Sequence, residues 1–351
     1  MIKVFIPPND IKDLRYLPVL YPNLGVLVNE KKLFADMGNR SMRYSVVEIV
    51  QEVKNADFVL LPYEYFDIEK KYPKYLDGCV VVAQENRKKL LVFDLSDYTD
   101  REIDVPYSWV FRIAGYAHRK KDNEIIMPFF VEDLAMHKKW QPRHKDGKPT
   151  VGFCGWAGFR NRTGRLKFFV KNLIMKFRAL ISFDRIQEAR KQGIYFRRKV
   201  IARLLKSGTD VNCDFIIRRS YSSHINTIEE KPEKLRAEYI ENIAGSDFAL
   251  AVRGDANASC RFYEILSMGR IPLFIDTDCA LPLQDEIDYK KIALCVDYRK
   301  IDTVGDVVAE FYKNLSDEEF IVMQKSARKV FEDYLRVDSF LSYILPKLVN
   351  R

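Results

Sequence analysis

Apolar residues in this chain gather in short, nearly continuous runs, separated by stretches in which they recur every three or four positions. Runs at residues 3–6, 58–61, 78–83, 90–95 and 109–113 predict strands, and residues 45–54 have helical spacing. Strands that are hydrophobic throughout, rather than alternating, suit a parallel sheet covered on both faces. With helical segments between them, the first 145 residues read as a βαβ pattern. The periodicity fades at residues 138–150, KKWQPRHKDGKPT, which are polar and rich in turn formers, and a domain boundary is expected there. A second series follows. Strands are expected at 150–154, 215–217, 248–252, 271–275 and 292–296, and helices at 164–180, 195–205, 234–243 and 259–268. Gly269 is placed to end the last of these helices in the left-handed conformation. Residues 317–349 read as mostly helical.

A length of 351 residues with 47% hydrophobic and 30% charged residues suits two folded domains and excludes a disordered chain. No apolar stretch approaches the ~20 residues of a membrane span. The opening MIKVFIPP reads as a strand entering a loop rather than a secretory signal, so a cytoplasmic protein is expected. The six cysteines show no CxxC spacing and lie mostly in apolar runs, which suits small buried hydrophobes. The four histidines have no metal-binding spacing, and no metal site is expected.

The net charge of +9 is unevenly spread: +2 over residues 1–150, +13 over 151–220 and −6 over 221–351. The basic block implies either a polyanionic partner or a solvated helical face. Its amphipathic helices over 164–206 also suit peripheral docking on an anionic membrane.

Candidate chemistry concentrates at residues 246–283, SDFALAVRGDANASCRFYEILSMGRIPLFIDTDCALPL. This is strand, polar loop, helix, Gly turn, strand. Arg253, Gly254, Asn257, Ser259 and Arg261 gather near one helix N-terminus. Amides, helix dipole and guanidinium groups there suit a phosphate or diphosphate. Glu264, one turn beyond Arg261, can accept from a ribose diol. Plainer roles fit the same spacing: Arg253 as a strand cap, Arg261 and Glu264 as a surface i,i+3 pair, Ser259 as an N-cap.

Residues 252–283 resemble the signature of the exostosin-type glycosyltransferases, family 47, in its bacterial and viral form. The matching elements are the RG, the S-x-R-F-x-E helix, the G-R-I-P turn and the downstream LP. Weaker echoes are ADFVLLPYEY (56–65), NEIIMPFF (123–130) and VGFCGWAG (151–158). The resemblance implies an α/β GT-B fold, two Rossmann-like domains facing a central cleft. Residues 1–145 would form the acceptor-side domain, 146–330 the nucleotide-sugar domain, and 331–351 a helix packing back on the first. It implies transfer of a sugar from a nucleotide-diphosphate donor to a glycan or glycolipid hydroxyl, inverting and without an essential metal. Arg261 would contact the diphosphate, Glu264 the ribose, and Arg253 phosphate.

The growing charge on the leaving diphosphate falls to Arg253 and Arg261, helped by Arg160, Arg162 and Arg165 after the 155–158 loop. The acceptor's base should come from the first domain. Glu64 is the first candidate, with Asp67, His118 and Asp10 as alternatives. Asp276-Thr277-Asp278 has the D-x-D spacing of metal-dependent sugar transferases, but the resemblance places it in a metal-independent fold. Competing readings are a nucleic-acid- or anionic-membrane-binding protein using the basic block, or a non-catalytic scaffold for glycan assembly.

Overall fold

The computed structural model describes residues 1–25, 41–159, 162–182, 189–207, 210–220 and 230–349. Two all-parallel sheets organise them. The first joins β1 (Ile2–Phe5), β2 (Val47–Val50), β3 (Phe58–Leu60), β4 (Leu90–Asp94), β5 (Ser108–Arg112) and β6 (Glu124–Ile126) in the order β2-β1-β3-β4-β5-β6. The second joins β7 (Thr150–Trp156), β8 (Asn212–Arg218), β9 (Phe248–Ala251), β10 (Ile271–Asp276) and β11 (Leu294–Asp297) in the order β11-β10-β9-β7-β8. Each sheet is a doubly wound, Rossmann-like layer. Its strand order reverses once, at β1/β3 and at β7/β9, and such switch points open crevices at the carboxyl ends of the strands. Strands β4 and β9 are buried along their whole length, as a sheet covered on both faces requires.

Two local expectations fail. Residues 45–54 are not a helix: Val47–Val50 pair with β1 as an edge strand. Residues 78–83 are not a strand. They lie inside α2 (Pro73–Glu85), which follows α1 (Tyr65–Lys71) and begins with Pro73 at its first turn. The CVVVA run buries only Cys79 and Ala83, four apart on one helix face, and leaves Val81 in solvent. The cysteines are also less uniformly buried than expected, since Cys260 and Cys295 are exposed.

The second domain carries α3 (Arg162–Ser182), α4 (Gly193–Lys206), α5 (Pro232–Gly245), α6 (Cys260–Ser267), α7 (Val304–Asn314) and α8 (Asp317–Val330). Gly269 has φ +58°, as its place after α6 demands, and packs against Trp140. The chain then turns through residues 331–335 into α9 (Val337–Val349). This helix leaves the second domain: Val337, Phe340, Leu341, Ile344, Leu345 and Leu348 share one buried core with Val4, Phe58 and Phe111 of the first sheet. Two Rossmann-like domains joined by a returning helix form the GT-B arrangement. Among the described residues, no helix is long and apolar enough to cross a membrane.

Candidate functional site

The β7/β9 switch point gathers arginines. Arg253, two residues beyond β9, is buried. Its Nη1 donates to the Ala189 carbonyl (2.7 Å) and the Tyr116 hydroxyl (3.2 Å), and its Nη2 to the Asp255 carbonyl (2.9 Å). Its Nε is buried without a partner. The Arg253–Gly254 backbone lies so close to the start of α4 that a Cβ on Gly193 would sit 2.1 Å from the Arg253 oxygen.

Arg261 stands in the first turn of α6. It donates to the Cys154 carbonyl at the end of β7 (2.8 Å) and to the Tyr239 hydroxyl (3.3 Å), and it lies over the Phe153 ring at 4.5 Å. A Cβ on Gly155 would meet its Nη2 at 2.5 Å, so glycine there gives the guanidinium its seat. Among the described residues neither Arg253 nor Arg261 has a carboxylate within ion-pairing distance. Enclosed positive charge without a counter-charge is costly, several kcal/mol per ion, and an anionic ligand offsets it. Arg197 adds to the cluster, donating to the Trp156 and Arg253 carbonyls at 3.3 and 3.1 Å.

Glu264 does not pair with Arg261. It is buried and accepts from Arg236 Nη1 (3.1 Å) and from the Tyr239 hydroxyl (2.5 Å). Tyr239 thus links Arg261 to Glu264, and burial beside that carboxylate holds its phenol well above the usual range. Arg236 also binds Glu132 at 2.8 Å, so the guanidinium is clasped between two carboxylates.

The other expected positions divide. Ser259 occupies the N-cap of α6, but its side chain makes no capping bond. The Gly254 amide is taken by the Ala258 carbonyl, so it is not presented to a ligand. Asn257 is buried at the domain junction. Its amide side chain donates to the carbonyls of Gly115, Thr277 and Asp278, and its backbone N–H to Thr99 Oγ1. It ties the domains together rather than facing an anion. Asp278 pairs with His118 across the same junction, and Asp276 accepts the Cys279 amide. His118 packs on Tyr116, which receives Arg253, so this candidate base is one residue removed from the arginine cluster. Arg160 and the Arg162 side chain lie outside the described residues. Arg165 is exposed on α3, near enough to Arg198 to help lower its pKa below the usual value, after burial.

Glu64 lies four residues beyond β3, at the other switch point, and caps α1 by accepting the Asp67 amide at 3.0 Å. Its second oxygen is buried without a partner. Burial outweighs the Asp67 amide and lifts the carboxyl to about 7. With exposed Asp67, Asp13, Arg15 and Lys71 it lines a pocket of about 420 Å³ formed entirely by first-domain residues. Asp10 is exposed. A second pocket, about 290 Å³ beside Arg270 and the 138–143 linker, lies at the amino ends of the strands, away from both switch points. Arg270 there bonds the Ala244 and Gln141 carbonyls and holds the linker to the sheet.

Arg236, Tyr239, Arg197 and Tyr116 escaped the sequence reading. Arg236 and Tyr239 stand one turn apart on α5, a spacing with no meaning until the topology places α5 beside α6.

The chain is similar to several known proteins. Residues 171–311 match the Exostosin GT47 domain model. An exostosin-1 homolog of Caenorhabditis elegans is 29% identical over 188 residues, 48% of this chain and 48% of that protein. Exostosin-1 of Drosophila melanogaster is 29% identical over 106 residues, 30% of this chain and 13% of that protein. The chain's matches thus span half or less of these relatives' lengths. Among solved structures, Anabaena Alr3699/HepE in complex with UDP aligns over 100% of both chains with a TM-score of 0.40 and 9% identity. A Rickettsia africae glycosyltransferase aligns over 85% of this chain and 78% of its own, with a TM-score of 0.39 and 11% identity. Over residues 171–311 the chain is thus similar to the Exostosin GT47 domain, and over half or less of its length to exostosin-1 proteins.

Proposed function

We propose that this protein transfers a sugar from a nucleotide-diphosphate donor to a hydroxyl of a glycan or lipid-linked acceptor, in the cytoplasm. One observation carries the reading: Arg253 and Arg261, without carboxylate partners among the described residues, stand together at the carboxyl ends of β9 and β7, where a doubly wound sheet binds its ligand. Two fixed cations there stabilise the charge that grows on the diphosphate as the glycosidic bond breaks. Glu264, held by Arg236 and Tyr239, faces the ribose. Glu64 is the acceptor's base, with Asp67 and His118 as alternatives. With its pKa near 7, Glu64 can both take a proton and release it at neutral pH. The transfer needs no bound metal in this scheme, because the arginines do the electrostatic work.

Thermal unfolding against a panel of nucleoside diphosphates and nucleotide sugars tests the reading. A donor at about 100 times its Kd stabilises by ~2.7 kcal/mol. Arg261→Ala abolishes that shift, with its own unfolding temperature as the control. No shift with any nucleotide overturns the proposal.

A further inference from the structure

Helix α3 presents an apolar stripe to solvent. Leu166, Phe169, Val170, Leu173, Ile174 and Phe177 follow spacings of three and four and so share one face. They are 48–65% exposed. The opposite side faces the protein: Phe168 packs on the Phe159 ring at 5.2 Å, and Arg198 covers Phe159 at 4.9 Å. Six large side chains in one exposed stripe exceed the scattered apolar residues normal on a soluble surface. Helix α4, the other amphipathic segment of the basic block, differs. It buries Phe196, Val200 and Leu204 in the second core, so its apolar face is already used.

The charge around the stripe identifies what covers it. The 21 residues of α3 contain six Lys and Arg and no Asp or Glu. By helical rotation Arg165 and Lys167 flank the stripe, one on each side, and both are exposed. An apolar face bordered by cations, on a helix not apolar enough to span a bilayer, is the pattern of a segment lying in a membrane interface. A second copy of the chain is a poor occupant, because it would set two helices whose charged residues are all basic against each other.

We propose that α3 docks this protein on an anionic membrane, its apolar stripe among the acyl chains and its cations among acidic headgroups. Since α3 follows β7 and the Gly155–Phe159 loop, the arginine cluster would then work beside the bilayer. The docking itself does not depend on the proposed reaction, and the test reads no activity.

Co-sedimentation of the full chain is measured with vesicles of phosphatidylcholine alone and of phosphatidylcholine mixed with phosphatidylglycerol. Binding is expected to the mixed vesicles only, and to fall as salt rises. Phe169→Ser combined with Phe177→Ser lowers partitioning by at least about a hundredfold. Lys167→Gln lowers it about fivefold. Because Lys167 is exposed and makes no core contact, its effect keeps the test valid if the double variant folds poorly. Absence of binding, equal binding to neutral vesicles, or self-association abolished by the Phe substitutions overturns the proposal.

Discussion

Replacing Glu64 with Gln separates what the residue costs the fold from what it does for chemistry. The carboxyl ionises near 4.5 in an unfolded chain and near 7 in the folded protein, because one oxygen is buried without a partner. The sign follows from linkage. Below about pH 4.5 the group is protonated in both states and carries its full share of stability. As pH rises through 7, the folded state must release a proton that the unfolded state has already lost, and that share disappears. The gap corresponds to about 3 kcal/mol as an upper bound. Gln at 64 still accepts the Asp67 amide and carries no charge. Glu64→Gln should therefore be more stable than the wild type at pH 8.5, by about 1–3 kcal/mol, and no more stable near pH 4.5. Urea unfolding midpoints across that range measure the difference. Turnover should fall by ~10²–10⁴-fold in the same variant. A stability difference that does not change with pH would refute the burial argument. Turnover within a few-fold of wild type would remove Glu64 as the base.

Three further outcomes are expected. Gly155→Ala puts a methyl 2.5 Å from Arg261 Nη2. The guanidinium can swing aside, so stability should change by less than ~1 kcal/mol while titration calorimetry shows donor affinity falling about tenfold. Gly193→Ala meets the Arg253 and Gly254 carbonyl oxygens at 2.1 and 2.5 Å, and backbone cannot swing aside. A loss of about 3 kcal/mol or more in urea unfolding is expected there. Asp133→Ala strips the partner from Arg328 (2.5 and 2.9 Å) and from Arg43 (2.7 Å). It should cost about 2–4 kcal/mol, because the largely enclosed Arg328 loses a neutralising carboxylate. A cost below ~1 kcal/mol would mean that Glu332, its other acid, suffices.

The sheets were largely legible because nearly unbroken apolar runs such as residues 90–93 and 248–251 suit strands buried on both faces. The two failures have a common cause. Short apolar segments do not fix their own period. Residues 46–53 place Val46, Val50 and Val53 at helical steps and Val47 and Ile49 at strand steps, and pairing with β1 decides between them. At residues 79–83 the β-branched run argued for a strand, yet Pro73 at a helix start and the need to cross from β3 to β4 won. At the site, Arg253 and Arg261 could be picked out beforehand because strand, loop and helix lie in one continuous segment. Asn257 could not be sorted from its neighbours, since its partners Thr99 and Gly115 are more than 140 residues away in sequence.

The returning helix α9 sets an order on the birth of the protein. The first sheet is complete at Ile126, but one wall of its core is made of residues 337–348. At ~5–20 residues per second, a ribosome needs on the order of 10–40 s to deliver them. The domain encoded first therefore closes last. Until then its sheet offers an open apolar face to whatever chaperone or nascent neighbour is at hand. The second domain, begun later, holds most of its own core within residues 151–323 and can finish before it.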